Sequence, residues 1–117
     1  MKKSRKSLVR PRRRAYNRQS GRCYYCGAPM CLEDPEQFAS QYKLSPKQTW
    51  LLQCTGEHLT AHCEGGMVSK SNIVAACWFC NIHRHRVAKP LAPDRYREHV
   101  RKRVANGGWH QLQRLCS

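Results

Sequence analysis

The chain is short of acidic residues. Seven Asp and Glu stand against 22 Lys and Arg in 117 residues, a formal net charge of +15. A field of that sign gathers polyanions and speeds their capture, and it is ill suited to binding cationic partners. Long apolar runs are also missing: no stretch approaches the roughly 20 residues of a membrane span. The basic N-terminus has no apolar segment behind it, so no secretory signal is read and the cytoplasm is the expected location. In a reducing cytosol, the eight cysteines are read as metal ligands or thiols rather than as a disulfide framework. Apart from two Cys pairs there is no internal repeat, and apart from the basic N-terminus no low-complexity segment.

What is present is charge in clusters. Residues 2–22 hold ten Lys or Arg and no acid, and residues 84–103 hold eight more against two acids. Clustering of this kind marks a nucleic-acid partner ahead of a merely solvated surface. A membrane surface or an acidic protein would answer the charge, but not the metal chemistry below. The expected organisation is a flexible basic arm over 1–20, a core over 21–90, and a C-terminal helix and tail over 91–117 packed on that core. Arg12, Arg13 and Arg14 in the arm, with Arg84 and Arg86, are the expected nucleic-acid contacts. A later helix carrying Arg95, Arg97, Arg101, Lys102 and Arg103 could add a second phosphate-binding face.

Turn and cap signals divide the core. Gly27 and Pro29 shape a turn around the first Cys pair. Asp34-Pro35 starts a short helix to Tyr42, and Ser45-Pro46 a further turn. Thr49 to Cys54 and Glu57 to Ala61 read as extended pieces, with Gly65-Gly66 opening a loop. Asn72 to Cys77 is a short apolar strand, and a helix follows from Phe79 to Val87. Pro93-Asp94 starts the last helix, which Asn106-Gly107-Gly108 stops after Ala105.

Cys23-Tyr-Tyr-Cys26 and Cys77-Trp-Phe-Cys80 together supply four thiolates, the complement of a closed tetrahedral zinc site. Each Cys-x-x-Cys turn points both sulfurs at one ion. Zinc would clip shut the fifty residues between Cys26 and Cys77 and make metal binding part of folding. A closed four-thiolate site performs no reaction, so these residues do not name a function.

The stretch Glu57-His58-Leu-Thr-Ala-His62-Cys-Glu-Gly65-Gly66, followed by Asn72-Ile-Val-Ala-Ala-Cys77-Trp-Phe-Cys80-Asn81-Ile-His83-Arg84-His85, does point to one. It resembles the HNH (ββα-metal) nucleases, in the subset framed by two zinc-binding Cys pairs. The resemblance covers residues 23–85. It implies a small α+β fold with the ββα-metal motif, stapled by the zinc site and flanked by short helices and the basic arm. It also implies hydrolysis of phosphodiesters in nucleic acid, double-stranded DNA first.

Such hydrolysis needs an activated water, neutralised phosphate charge and help for the leaving oxygen. His58 is the expected general base, since imidazole titrates near the working pH. Neighbours on a strand face opposite ways, so Glu57 can address a divalent ion while His58 addresses water. The resemblance makes Asn81 and His85, four apart on one helix face, the remaining metal ligands. It makes Asn72 the residue that fixes the loop between the strands, counted with His58 in the catalytic set. The third motif position is often His and here is Asn81, an oxygen-richer set that leans to magnesium or manganese. His83 is the alternative to His85, two residues off the Asn81 face, and His62 is given no role. Double-strand cutting would require a dimer or two events. The competing functions are a non-catalytic zinc-knuckle module that binds DNA or RNA, and a zinc-stabilised protein that binds an acidic partner.

Overall fold

The computed structural model describes residues 8–59, 72–112 and 115. The elements run α1 (Val9–Arg18), α2 (Pro35–Tyr42), α3 (Pro46–Leu51), β1 (Cys54–His58), β2 (Ile73–Cys77), α4 (Trp78–Arg84) and α5 (Pro93–Ala105). The result is a small α+β fold around a two-stranded sheet. The loop expected at Gly65-Gly66, and His62 with it, lies outside the described residues.

β1 and β2 are antiparallel, with Cys54 opposite Cys77, Glu57 opposite Val74 and His58 opposite Ile73. Leu59 N–H donates to Asn72 O at 2.8 Å, one step past the last pair. All five residues of β2 are buried, which fits its unbroken apolar run of Ile, Val, Ala, Ala and Cys: a strand covered on both faces does not alternate. Tyr25, Met30, Leu52, Ile73 and Val100 fill the core together with buried cysteines.

The basic N-terminal segment is not a flexible arm over its described part. Residues 9–18 form α1, which packs on the sheet. Its charge hides a helical stripe: Leu8, Pro11, Arg12, Ala15 and Tyr16 are the less exposed positions, with Ala15 fully buried, at spacings of three and four. Gly56 faces α1, where an added Cβ would meet Arg12 Cβ at 3.7 Å and Leu8 Cδ2 at 3.8 Å. The far edge of β2 is sealed at the end of this helix. Gln19 accepts from Ala75 N–H at 2.9 Å and donates to Ala75 O at 2.8 Å, and Arg18 donates to Ile73 O at 3.0 Å. Side chains thus occupy groups that would otherwise template another strand.

The strand expected from Thr49 begins later. Ser45 and Gln48 form a reciprocal capping box, and Thr49 Oγ1 donates to Ser45 O at 3.0 Å. These bonds satisfy the helix start and carry the helix to Leu51, leaving β1 to begin at Cys54. α2 starts where Asp34-Pro35 places it, with the Asp34 carboxylate accepting from Gln37 N–H at 3.0 Å. α4 stops at Arg84, short of Val87, with His85 as its C-cap. α5 spans the expected residues and ends at Asn106, followed by Gly107 at φ 76°, a left-handed position suited to glycine. Among the described residues no helix is long and apolar enough to cross a membrane.

Candidate metal centres

Cys23, Cys26, Cys77 and Cys80 converge, all buried, with their four sulfurs within 4.8 Å of one another. Cys26 and Cys77 Sγ are 3.9 Å apart. Four sulfurs about 2.3 Å from one tetrahedral zinc would lie about 3.8 Å from each other, so the cluster fits that ion. The knuckle backbone supports it. Cys23 Sγ accepts N–H bonds from Tyr25 at 3.3 Å and Cys77 at 3.3 Å, and Cys77 Sγ accepts from Cys80 at 3.4 Å. Hydrogen-bond donation from the other three cysteines pulls the Cys26 thiol well below its ordinary range, whereas Cys77 and Cys80 are pushed up. The hydrogen bond with Cys23 raises Cys77 and burial raises Cys80, so neither ionises readily beside the Cys26 thiolate without a cation. The cluster could hold a metal ion such as zinc.

Two side chains that the sequence reading did not single out complete this centre. Trp109 Nε1–H donates to Cys80 Sγ at 3.3 Å. His110 Nδ1 accepts from Leu112 N–H at 2.8 Å, which leaves the proton on Nε2, 3.3 Å from Cys26 Sγ. Phe79 packs edge-on against both rings, at 5.1 and 5.0 Å. Trp109 and His110 follow the glycine stop of α5, and nothing in their local sequence ties them to cysteines some thirty and more positions away.

A second polar cluster is built on Glu57, a carboxylate only 4 % exposed. Its two oxygens are unequally shared. Oε2 accepts from Tyr25 OH at 2.9 Å and from Arg84 Nη1 at 2.9 Å. His85 Nε2 lies 3.0 Å from Oε1 and 3.3 Å from Oε2. At that separation Glu57 and His85 are within hydrogen-bond distance of each other. Tyr25 is a further participant absent from the sequence reading. Burial, then the adjacent Glu57, pushes its phenol far above its ordinary range, so it is a fixed proton donor.

Asn81 lies on α4 and donates to Thr55 Oγ1 at 2.9 Å. Thr55 and Glu57 share a face of β1, so Asn81 and His85 line that face one above the other. Asn81 Oδ1 makes no hydrogen bond among the described residues. No further His, Cys, Asp or Glu joins Glu57 and His85 in a three-ligand group among the described residues, so an ion there would take Asn81, water or substrate. His83 is elsewhere: Nδ1 is 2.9 Å from Phe79 O, and its ring stacks on Phe79. His58, half-buried, ends β1 on the face opposite Glu57. Asn72 stands just before β2, where its carbonyl accepts from Leu59 N–H at 2.8 Å.

The expected arginine contacts separate. Arg84 is not a surface cation. It is 9 % exposed, and besides Glu57 it binds Leu91 O through Nε at 3.1 Å and Nη2 at 2.9 Å. Its position on α4, one residue before the exposed C-cap, points it at the buried carboxylate, and a buried charge requires a partner. Arg13 pairs at the surface with Glu33 at 2.9 Å. Arg14 and Arg86 are exposed, and Arg12 is half-buried against the sheet. No family model, curated protein or solved structure matches this chain.

Proposed function

We propose that this chain is a metal-dependent HNH endonuclease that hydrolyses phosphodiester bonds, with double-stranded DNA as the first substrate to test. One observation carries the reading: Glu57 and His85, 28 positions apart, meet at 3.0 Å, with Asn81 one turn before His85 on α4. The next residue along β1 is a histidine. An ordinary surface ion pair would not require that oxygen-and-nitrogen set at the crossing of a strand and a helix.

On this reading Glu57 Oε1, Asn81 Oδ1 and His85 Nε2 hold magnesium or manganese, which when bound neutralises charge on the phosphate and on the leaving oxygen. Tyr25 and Arg84 clamp Oε2, so the carboxylate offers one oxygen in a fixed direction. His58 takes the proton of the attacking water at its imidazole. The Asn72 carbonyl holds the end of the strand pair, and with it His58, in register. Zinc on the four cysteines contributes stability and no chemistry.

The test is plasmid and defined duplex, single-stranded and RNA substrates with magnesium or manganese, comparing the protein with His58→Ala. Metal-dependent cleavage that disappears in the variant supports the reading. Binding with no cleavage by the intact protein, across several divalent metals, refutes it. That outcome would select the non-catalytic zinc-knuckle reading, which one observation favours: Arg84 already neutralises Glu57 at 2.9 Å.

A further inference from the structure

A second basic surface lies away from Glu57. Gln19, Arg22, Cys23, Tyr24, Gly27, Arg97 and Arg101 line a groove of about 420 Å³. Of the cations on α5, the two that reach it are Arg97 and Arg101, four apart and so on one helix face. Arg103 instead turns to Gly108 O at 3.2 Å. Arg22 approaches from the other wall, just before the first Cys pair.

Each guanidinium is held by a neutral group. Arg22 Nη1 donates to Gly27 O at 3.0 Å. Arg101 Nε donates to Tyr25 O, and Nη2 comes within 3.7 Å of the position a Gly27 Cβ would take. Arg97 lies 4.7 Å over the Tyr24 ring. Among the described residues none of the three has a carboxylate within salt-bridge distance. Three like charges facing one groove repel one another. With five N–H donors per guanidinium and at most one used among the described residues, most remain available to an anion. The anchored geometry also lowers the entropy lost on binding.

We propose that this groove seats the phosphodiester backbone of the nucleic acid. The inference rests on the nucleic-acid half of the reading above and not on cleavage. It is argued from charge complementarity: three guanidinia that meet no carboxylate among the described residues, two on α5 and one before the first Cys pair, suit a strand of successive phosphates. Contacts of this kind are blind to sequence, and each one neutralised phosphate contributes about 0.9 to the slope of log affinity against log salt.

Binding of a fluorescent DNA duplex is measured by anisotropy from 50 to 300 mM salt, for the full chain and for the Arg97→Ala/Arg101→Ala double variant. Zinc content and circular dichroism check the fold. Lys47→Ala, an exposed cation on α3, controls for lost net charge. The expected result is a slope shallower by about two in the double variant, against a smaller change in the control. Should loss of the Arg101 bond disturb the knuckle, Arg22→Ala/Arg97→Ala reads the same quantity. An unchanged slope overturns the proposal. So does a loss confined to inorganic phosphate or to phosphatidylglycerol vesicles, which would assign the groove to a free phosphate or a headgroup. A protein that binds through the groove yet never cuts would keep this inference and sink the nuclease. One that cuts with the groove removed and the slope intact would do the reverse.

Discussion

His85 Nε2 sits 3.0 Å from Glu57 Oε1, while Arg84, its neighbour in sequence, holds Glu57 Oε2 at 2.9 Å. One carboxylate thus meets two adjacent residues with different burial, Arg84 at 9 % and His85 at 46 % side-chain exposure. The two contacts differ in consequence. Arg84 stabilises the fold, and His85 is the replaceable, solvent-facing partner.

Glu57→Ala strands Arg84 as a buried unpaired charge and is expected to cost about 3–5 kcal/mol. His85→Ala removes a half-exposed contact and should stay within about 1 kcal/mol. Urea denaturation of both variants measures the difference. Manganese affinity, followed by electron paramagnetic resonance, should fall in His85→Ala although its stability does not. Equal destabilisation by the two changes would contradict the difference between the buried Arg84 contact and the half-exposed His85 contact.

The four-cysteine centre predicts one zinc per chain by elemental analysis. Chelation, or Cys80→Ser, should unfold the protein, because the site joins both knuckles to β2 and α4 and its binding energy is folding energy. A cooperative native transition after complete metal removal would refute that dependence.

Trp109 and His110 donate to two of the sulfurs, and donors to metal ligands alter metal retention by roughly 10–100-fold. Trp109→Phe and His110→Phe should therefore each speed zinc transfer to a chromogenic chelator, with little change in the zinc stoichiometry of the untreated protein. Transfer rates equal to that of the parent would show that the two contacts are incidental.

Alkali should weaken the fold. Burial pushes the Cys54 thiol from 9.0 up to about 12, and it raises the phenols of Tyr25 and Tyr96 as well. Between the unfolded and folded values the unfolded chain has lost protons that the native chain keeps. The stability held below pH 9 is then lost progressively from pH 9 towards 12. Denaturation midpoints measured from pH 7.5 to 11 should fall, and Cys54→Ala should make the fall less steep.

Removing residues 2–14 should lower the melting temperature as well as weaken DNA binding, since α1 covers the sheet. A mobile arm would predict the second effect alone. Gln19→Ala, which takes the acceptor from Ala75 N–H and leaves Ala75 O to Tyr24 N–H alone, should cost about 1–3 kcal/mol.

The elements that the sequence made legible are those with strong local signals. Asp34-Pro35 starts α2, Pro93 starts α5, and the apolar run after Asn72 is β2, because caps, fixed proline φ and unbroken burial act within a few residues. The capping box at Ser45 and Gln48 is equally local. Ser45-Pro46 marked the start of α3, but its extent was hidden by the apolar Trp50-Leu51-Leu52, which suits a strand or a buried helix alike. In α1 the arginines masked a stripe whose key member is a single alanine.

The candidate sites divide along the same line. The paired spacing of Cys23, Cys26, Cys77 and Cys80 determined that four thiolates could share an ion, since a Cys-x-x-Cys turn aims both sulfurs one way whatever surrounds it. Which residues surround Glu57 was decided by the tertiary structure. Tyr25 and Arg84 are brought to one oxygen, and Trp109 and His110 to the sulfurs, from positions 27 or more apart. Such long-range meetings are set by how the knuckles, α4 and the C-terminal segment pack. A local pattern states what a residue can do, and only packing settles which partner it meets.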